Sequence, residues 1–127
     1  MNDRQQQKTS VDILAQLAFI RQRKQEYLVC LSMSKADQVI RRRVISIGLL
    51  DMVPTHPREL FAGAITDRAA YIIVGHNHPS GEVRPSSDDI TATQQLVAAG
   101  ILLGIPVKDH IIVTGNSHYS FRARMLI

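Results

Sequence analysis

At 127 residues, with 45% apolar and 20% charged side chains, the chain has the make-up of a globular domain with a buried core, which excludes the disordered and fibrous classes. Cys30 is the only cysteine, so an intrachain disulfide is excluded and any metal site has to be assembled from His, Asp or Glu. Fifteen basic against eleven acidic residues give a net charge of +4, which permits contact with nucleic acid, yet Arg21 to Lys24 and Arg41 to Arg43 lack the aromatics of a stacking platform and read as solvated faces or charged strand edges.

Residues 1–9 are polar and are expected to form a flexible amino terminus, with 10–127 as one domain. The apolar positions that follow are interrupted too early for a signal-peptide core or a membrane span, so a cytoplasmic protein without membrane attachment is expected. Val11, Leu14, Leu17 and Ala18 recur at helical spacing behind Ser10, an N-cap residue, and predict an amphipathic helix to about Arg23. Tyr27 to Leu31 and Val39 to Ile47 are extended runs separated by polar residues, a β-hairpin pattern. An irregular stretch follows Gly48 through Asp51 and Pro54. Pro57 after His56 then opens a helix over 57–68, since proline suits the first helical position. Ala69 to Val74 is continuously apolar, as in a strand buried on both faces, and is expected to end at Gly75. The Pro- and Gly-rich stretch from His76 to Pro85 reads as a loop, and Ser86 as the cap of a helix reaching Gly100 or Leu103. Val107 to Val113 predicts a strand, Gly115-Asn116 a turn and Tyr119 to Phe121 a last short strand.

Chemistry concentrates between the buried strand and the Ser86 helix. His76 and His78 are two apart at a strand end, where alternation points both imidazoles to one side, and a catalytic zinc needs three protein ligands with the fourth position open. Asp89, at the third position of the helix beside the apolar Ile90, is better placed as third ligand than Asp88, which is expected to face solvent. Ser86 serves equally well as a plain N-cap or as a hydroxyl donor at a helix end where negative charge develops. His56, His110 and His118 stand apart from this cluster and read as structural, hydrogen-bonded residues, and Cys30 as a small buried hydrophobe.

His76-Asn77-His78, seven residues, Ser86, two residues and Asp89 reproduce the metalloprotease signature of the JAB/MPN superfamily. His-Asn-His-Pro-Ser-Gly from 76, His-Pro-Arg-Glu from 56 and Asp-His-Ile-Ile from 109 resemble the RadC branch of that superfamily over nearly the whole chain. The resemblance implies an α/β fold with a curved mixed β-sheet flanked by helices, similar to cytidine deaminases. It implies zinc as cofactor, held by His76, His78 and Asp89, and it places a catalytic glutamate before an early strand, where Glu26 precedes Tyr27. Glu26 would take the proton of the attacking water, and Ser86 would hydrogen-bond the oxyanion.

The expected function is zinc-dependent hydrolysis of an amide or isopeptide bond in a peptide or protein substrate that the motif does not identify. The alternative is a DNA-repair-associated module, after the label the RadC branch carries. Fuller RadC proteins hold an amino-terminal helix-hairpin-helix region for DNA, and these residues contain no counterpart.

Overall fold

The structure, a computed structural model, describes residues 12–48 and 56–127. The expected flexible segment, the Ser10 cap and the irregular stretch through Asp51 and Pro54 lie outside the described residues. Residues 12–17 form helix α1, which passes into a 3-10 turn, Ala18–Ile20, and stops short of the expected Arg23. The backbone N–H groups of Arg21 and Arg23 fold back onto Ala18 and Ile20, and the Asn77 side chain takes the carbonyls of Arg23 and Gln25, so no further helical turn forms.

Strand β1, Tyr27–Met33, and strand β2, Val39–Ile47, pair antiparallel as the expected hairpin. β1 runs past its apolar core because Ser32 is wholly buried and its hydroxyl has a partner, donating to Asp67 at 2.8 Å. Arg43 of β2 grips the same carboxylate with two N–H donors, at 3.0 and 2.7 Å. The Arg43 guanidinium holds the Asp67 carboxyl below the usual range, against the opposing pull of burial, and Ser32 adds to the lowering. A depressed folded-state value stabilises above the ordinary carboxylate range and loses that contribution as pH falls through the folded value. Asp67→Ala leaves the Ser32 hydroxyl buried without its acceptor and is expected to cost about 1–3 kcal/mol near neutral pH. Urea unfolding at about pH 7 and about pH 3 checks this, because the gap from the unsubstituted protein should narrow below about pH 4.

Helix α2, Pro57–Thr66, starts at Pro57 after an extended His56. It ends two residues before the expected boundary because Arg68 takes a positive φ of 52°, turning the chain into the sheet. Strand β3 is Tyr71–Asn77 rather than 69–74. Its first expected residues are used by that turn, while Gly75 and His76 remain in register with Val29 and Leu28 of β1, so the strand carries on through the first histidine. Helix α3, Ser87–Leu103, closes on Gly104 in the left-handed conformation at φ 73°, which suits a residue without Cβ. Strand β4 is Val107–Val113 and strand β5 is His118–Ser120, one residue earlier than expected because the chain turns away from the sheet at the buried Phe121.

The five strands form one mixed sheet in the order β2-β1-β3-β4-β5, with only β3 and β4 parallel. α3 is the crossover between that parallel pair, and β3, central and buried at all seven positions, carries the apolar run that such a place demands. Alternation divides the core. Leu28, Cys30, Ile72 and Val74 pack with Leu60, Phe61, Ala92 and Leu96 of α2 and α3. Val29, Leu31, Tyr71 and Ile73 pack on the other side with Ile13 and Leu17 of α1. This is the α/β architecture of a mixed sheet flanked by helices that the sequence led us to expect. Among the described residues no helix is long and apolar enough to cross a membrane.

Candidate metal centre

His76 is the sixth residue of β3 and shares the α3 side of the sheet with Ile72 and Val74. His78 stands one residue beyond the strand, but its N–H still donates to the Val113 carbonyl at 3.1 Å, so the extended backbone persists and both imidazoles emerge on one side. Their Nε2 atoms are 2.9 Å apart. The loop after His78 turns back through Gly81, at φ 87°, and sets the Glu82 carbonyl 2.7 Å from His78 Nδ1. A carbonyl only accepts, so that nitrogen carries the hydrogen and, in the neutral ring, Nε2 is bare toward the site.

The loop delivers α3 with its first turn against the histidines. Ser86 Oγ accepts from the Asp89 N–H and the Asp89 carboxylate accepts from the Ser86 N–H, both at 3.0 Å, a reciprocal capping box. Held in this way, and 2% exposed, Asp89 has one carboxylate oxygen 3.3 Å from His78 Nε2 and the other 3.8 Å from His76 Nε2. Asp88 faces solvent. Glu26, immediately before β1, places Oε1 3.8 Å from His78 Nε2, and the donor atoms of Glu26, His76 and His78 lie within 4.8 Å of one another, a group that could hold a metal. Two ligands of one tetrahedral zinc at about 2.0–2.1 Å would lie roughly 3.3 Å apart, and the spacings among His76, His78 and Asp89, at 2.9, 3.3 and 3.8 Å, are close to that. Imidazole nitrogens and carboxylate oxygens without a thiolate form a donor set that suits a divalent transition-metal ion, zinc among them.

Glu26, His78, Ser86 and Asp89 line a cleft of about 520 Å³ together with Arg84 and Gly48, while His76 is buried. The RadC-like JAB domain matches this chain over residues 6–126. The chain belongs to that family. Curated relatives, each named UPF0758 protein, come from Methanospirillum hungatei, 52% identical over 78% of this chain and 44% of the relative, and Desulforamulus reducens, 45% identical over 80% and 45%. A Bacillus cereus relative is 45% identical over 79% of this chain and 44% of its own length. The RadC-like chain therefore spans less than half the length of these relatives.

Electrostatics within the RadC-like centre separate its two histidines. Burial pushes His76 down to about 4 although Asp89 pulls it up, so its ring is neutral at physiological pH. Burial also lowers His78, but the hydrogen bonds with Asp89 and the Glu82 carbonyl outweigh it and the net shift is upward. Burial opposes ionisation of Asp89, yet His78, His76 and the Ser86 N–H together hold its carboxyl well below the ordinary range. It is a carboxylate at any pH at which the domain would work.

Three neighbours of this centre escaped sequence reasoning as supporting residues. Asn77, between the histidines, points to the opposite side of the sheet, where its Oδ1 accepts from the Tyr27 N–H at 2.7 Å and its Nδ2 donates to the carbonyls of Arg23 and Gln25 at 3.3 and 3.0 Å. It clamps the backbone on both sides of Glu26. His110 does not stand apart from the cluster as expected: its Nε2 lies 2.6 Å from His76 Nδ1. Thr93 of α3 contacts His110 in turn, at 2.6 Å. His56 and His118 are exposed.

Proposed function

We propose that this RadC-like JAB domain is a zinc-dependent hydrolase of the metallopeptidase or isopeptidase type, cleaving an amide bond in a peptide or protein. The observation that carries the reading is the convergence of two imidazole Nε2 atoms 2.9 Å apart with the Asp89 and Glu26 carboxylates beside an open cleft. When bound, zinc would supply a Lewis acid that acidifies water and polarises a carbonyl.

His76, His78 and Asp89 would hold the ion. Asp89 is the better third ligand because it is the more deeply buried carboxylate, with a side chain 3% exposed against 13% for Glu26. Glu26, beside the cleft, would accept a proton from the attacking water and deliver it to the leaving amine. Ser86 Oγ uses a lone pair in the helix cap, which leaves its hydroxyl hydrogen to donate to the oxyanion, with the positive end of α3 adding to the effect. The alternative of a DNA-associated module draws on the net charge of +4 and on the RadC label, and no feature of the site favours it.

Stripping the purified protein with a chelator and returning zinc tests the reading. Zinc is expected to bind at one ion per chain, and hydrolysis across a panel of peptides and isopeptide-linked proteins should vanish on stripping and return with zinc. Failure to bind zinc, hydrolysis indifferent to stripping, or a zinc-loaded protein inert across the panel would each overturn it.

A further inference from the structure

We propose that Thr93 and His110 are positioning residues that fix the tautomer of His76, holding its hydrogen on Nδ1 so that Nε2 stays bare toward the metal. The consequence for zinc rests on the reading above, whereas the tautomer itself requires no metal.

The assignment follows from counting hydrogens along one buried chain of contacts. Thr93 Oγ1 donates to the Asp89 carbonyl, one helical turn earlier, at 2.7 Å. A hydroxyl has a single hydrogen, and this one is committed. Toward His110 Nδ1, 2.6 Å away, the same oxygen can therefore only accept, so His110 Nδ1 carries a hydrogen. His110 is wholly buried and stacks on Phe121, with ring centroids 4.4 Å apart and planes inclined by 15°. A ring with no exposed surface is neutral, since a charge there would be desolvated. With its one hydrogen on Nδ1, His110 Nε2 is an acceptor, and the His76 Nδ1 that faces it at 2.6 Å must be the donor. His76 Nε2 is then left bare.

The Glu82 carbonyl fixes His78 in the same sense. Two bare nitrogens face each other at 2.9 Å, a repulsive contact unless a metal ion, or a proton on His78, lies between them. The relay starts and finishes at Asp89: its carbonyl orders Thr93, and its carboxylate lies 3.8 Å from the nitrogen that the relay leaves bare. Supporting groups of this kind set the orientation and basicity of a ligating histidine.

The fold supplies the meeting. In the pairing of β3 with β4 the register shifts between Ile72 and Ile73, so Ile72 faces Val107 but Ile73 faces Asp109. This bulge reverses the alternation of β4 and puts His110, opposite Val74, on the α3 side with His76 and Thr93.

Long-range proton–nitrogen NMR of the metal-stripped full chain reads the tautomers directly. His76 and His110 are both expected in the Nδ1–H form, and finding His76 as Nε2–H would overturn the proposal. Thr93→Val keeps the shape but removes the acceptor from His110; it should shift His110 and His76 toward their Nε2–H forms and weaken zinc binding, measured by chelator competition, by about 10–100-fold. Thr93→Ser restores the hydroxyl and should restore both. Unchanged tautomers and unchanged zinc affinity in Thr93→Val would overturn the relay, as would loss in Thr93→Ser equal to that in Thr93→Val. If the unsubstituted protein shows both Nδ1–H rings but binds no zinc, the tautomer assignment stands and the metal reading falls.

Discussion

Glu26→Gln is expected to lower the rate of amide hydrolysis by about 10²–10⁴-fold, the range general acid–base catalysis contributes, while the protein still binds one zinc per chain. Glutamine preserves the shape of the side chain and removes its ability to accept a proton. The local backbone should not move, because Asn77 binds the carbonyl of Gln25 and the N–H of Tyr27, both main-chain groups that the substitution leaves intact. Glu26 also shares a ligand-sized cluster with His76 and His78, so the variant separates two roles for it. A proton carrier loses rate and keeps metal. A ligand loses metal, and zinc content falling in step with activity would remove Glu26 from the role of base.

Asp89 should be costly to replace in a way that depends on the replacement. Asp89→Ala is expected to weaken zinc binding by more than the roughly 10–100-fold carried by a supporting residue, and to remove half of the α3 capping box, at about 1 kcal/mol. Asp89→Asn keeps an oxygen to accept the Ser86 N–H and should recover most of that stability, but its neutral amide is a poor substitute for the buried carboxylate between the histidines. Thermal unfolding of the stripped proteins measures the first effect and chelator competition the second. Zinc binding at full strength in Asp89→Asn would end the assignment of Asp89 as a charged ligand.

The parts of the fold legible in the sequence were those set by local pattern. The extended and continuously apolar runs placed the strands to within a few residues, and Pro57 and Ser86 marked helix starts because proline and hydroxyl side chains act on their own backbone. The motif from His76 to Asp89 was legible for the same reason: a strand end, one short loop and one helix cap bring its residues together. Glu26 was a different case, since it reaches the site only through the antiparallel pairing of β1 with β3, a contact across some fifty residues that only the family resemblance anticipated.

His110 was read as standing apart because 34 residues separate it from His76 in the chain, and the bulge that turns it toward His76 leaves no local sign in the sequence. Asn77 carried no signal beyond its place between the histidines, because its partners are main-chain groups that look alike in every sequence. The early end of α1 is equally silent in the sequence: the N–H groups of Arg21 and Arg23 turn back three residues onto Ala18 and Ile20, and the chain beyond is held by a side chain more than fifty residues away.

That asparagine has a mechanical consequence. β3 presents His76, a proposed ligand, on one side, and on the other the amide that fastens the backbone around Glu26, so the proposed base and this ligand are tied to one strand. A displacement of β3 would therefore be expected to act on His76 and on the Glu26 backbone together. Anyone grafting this centre onto another scaffold would have to transplant the strand with its fastening, since the histidines alone would arrive without a set distance to Glu26.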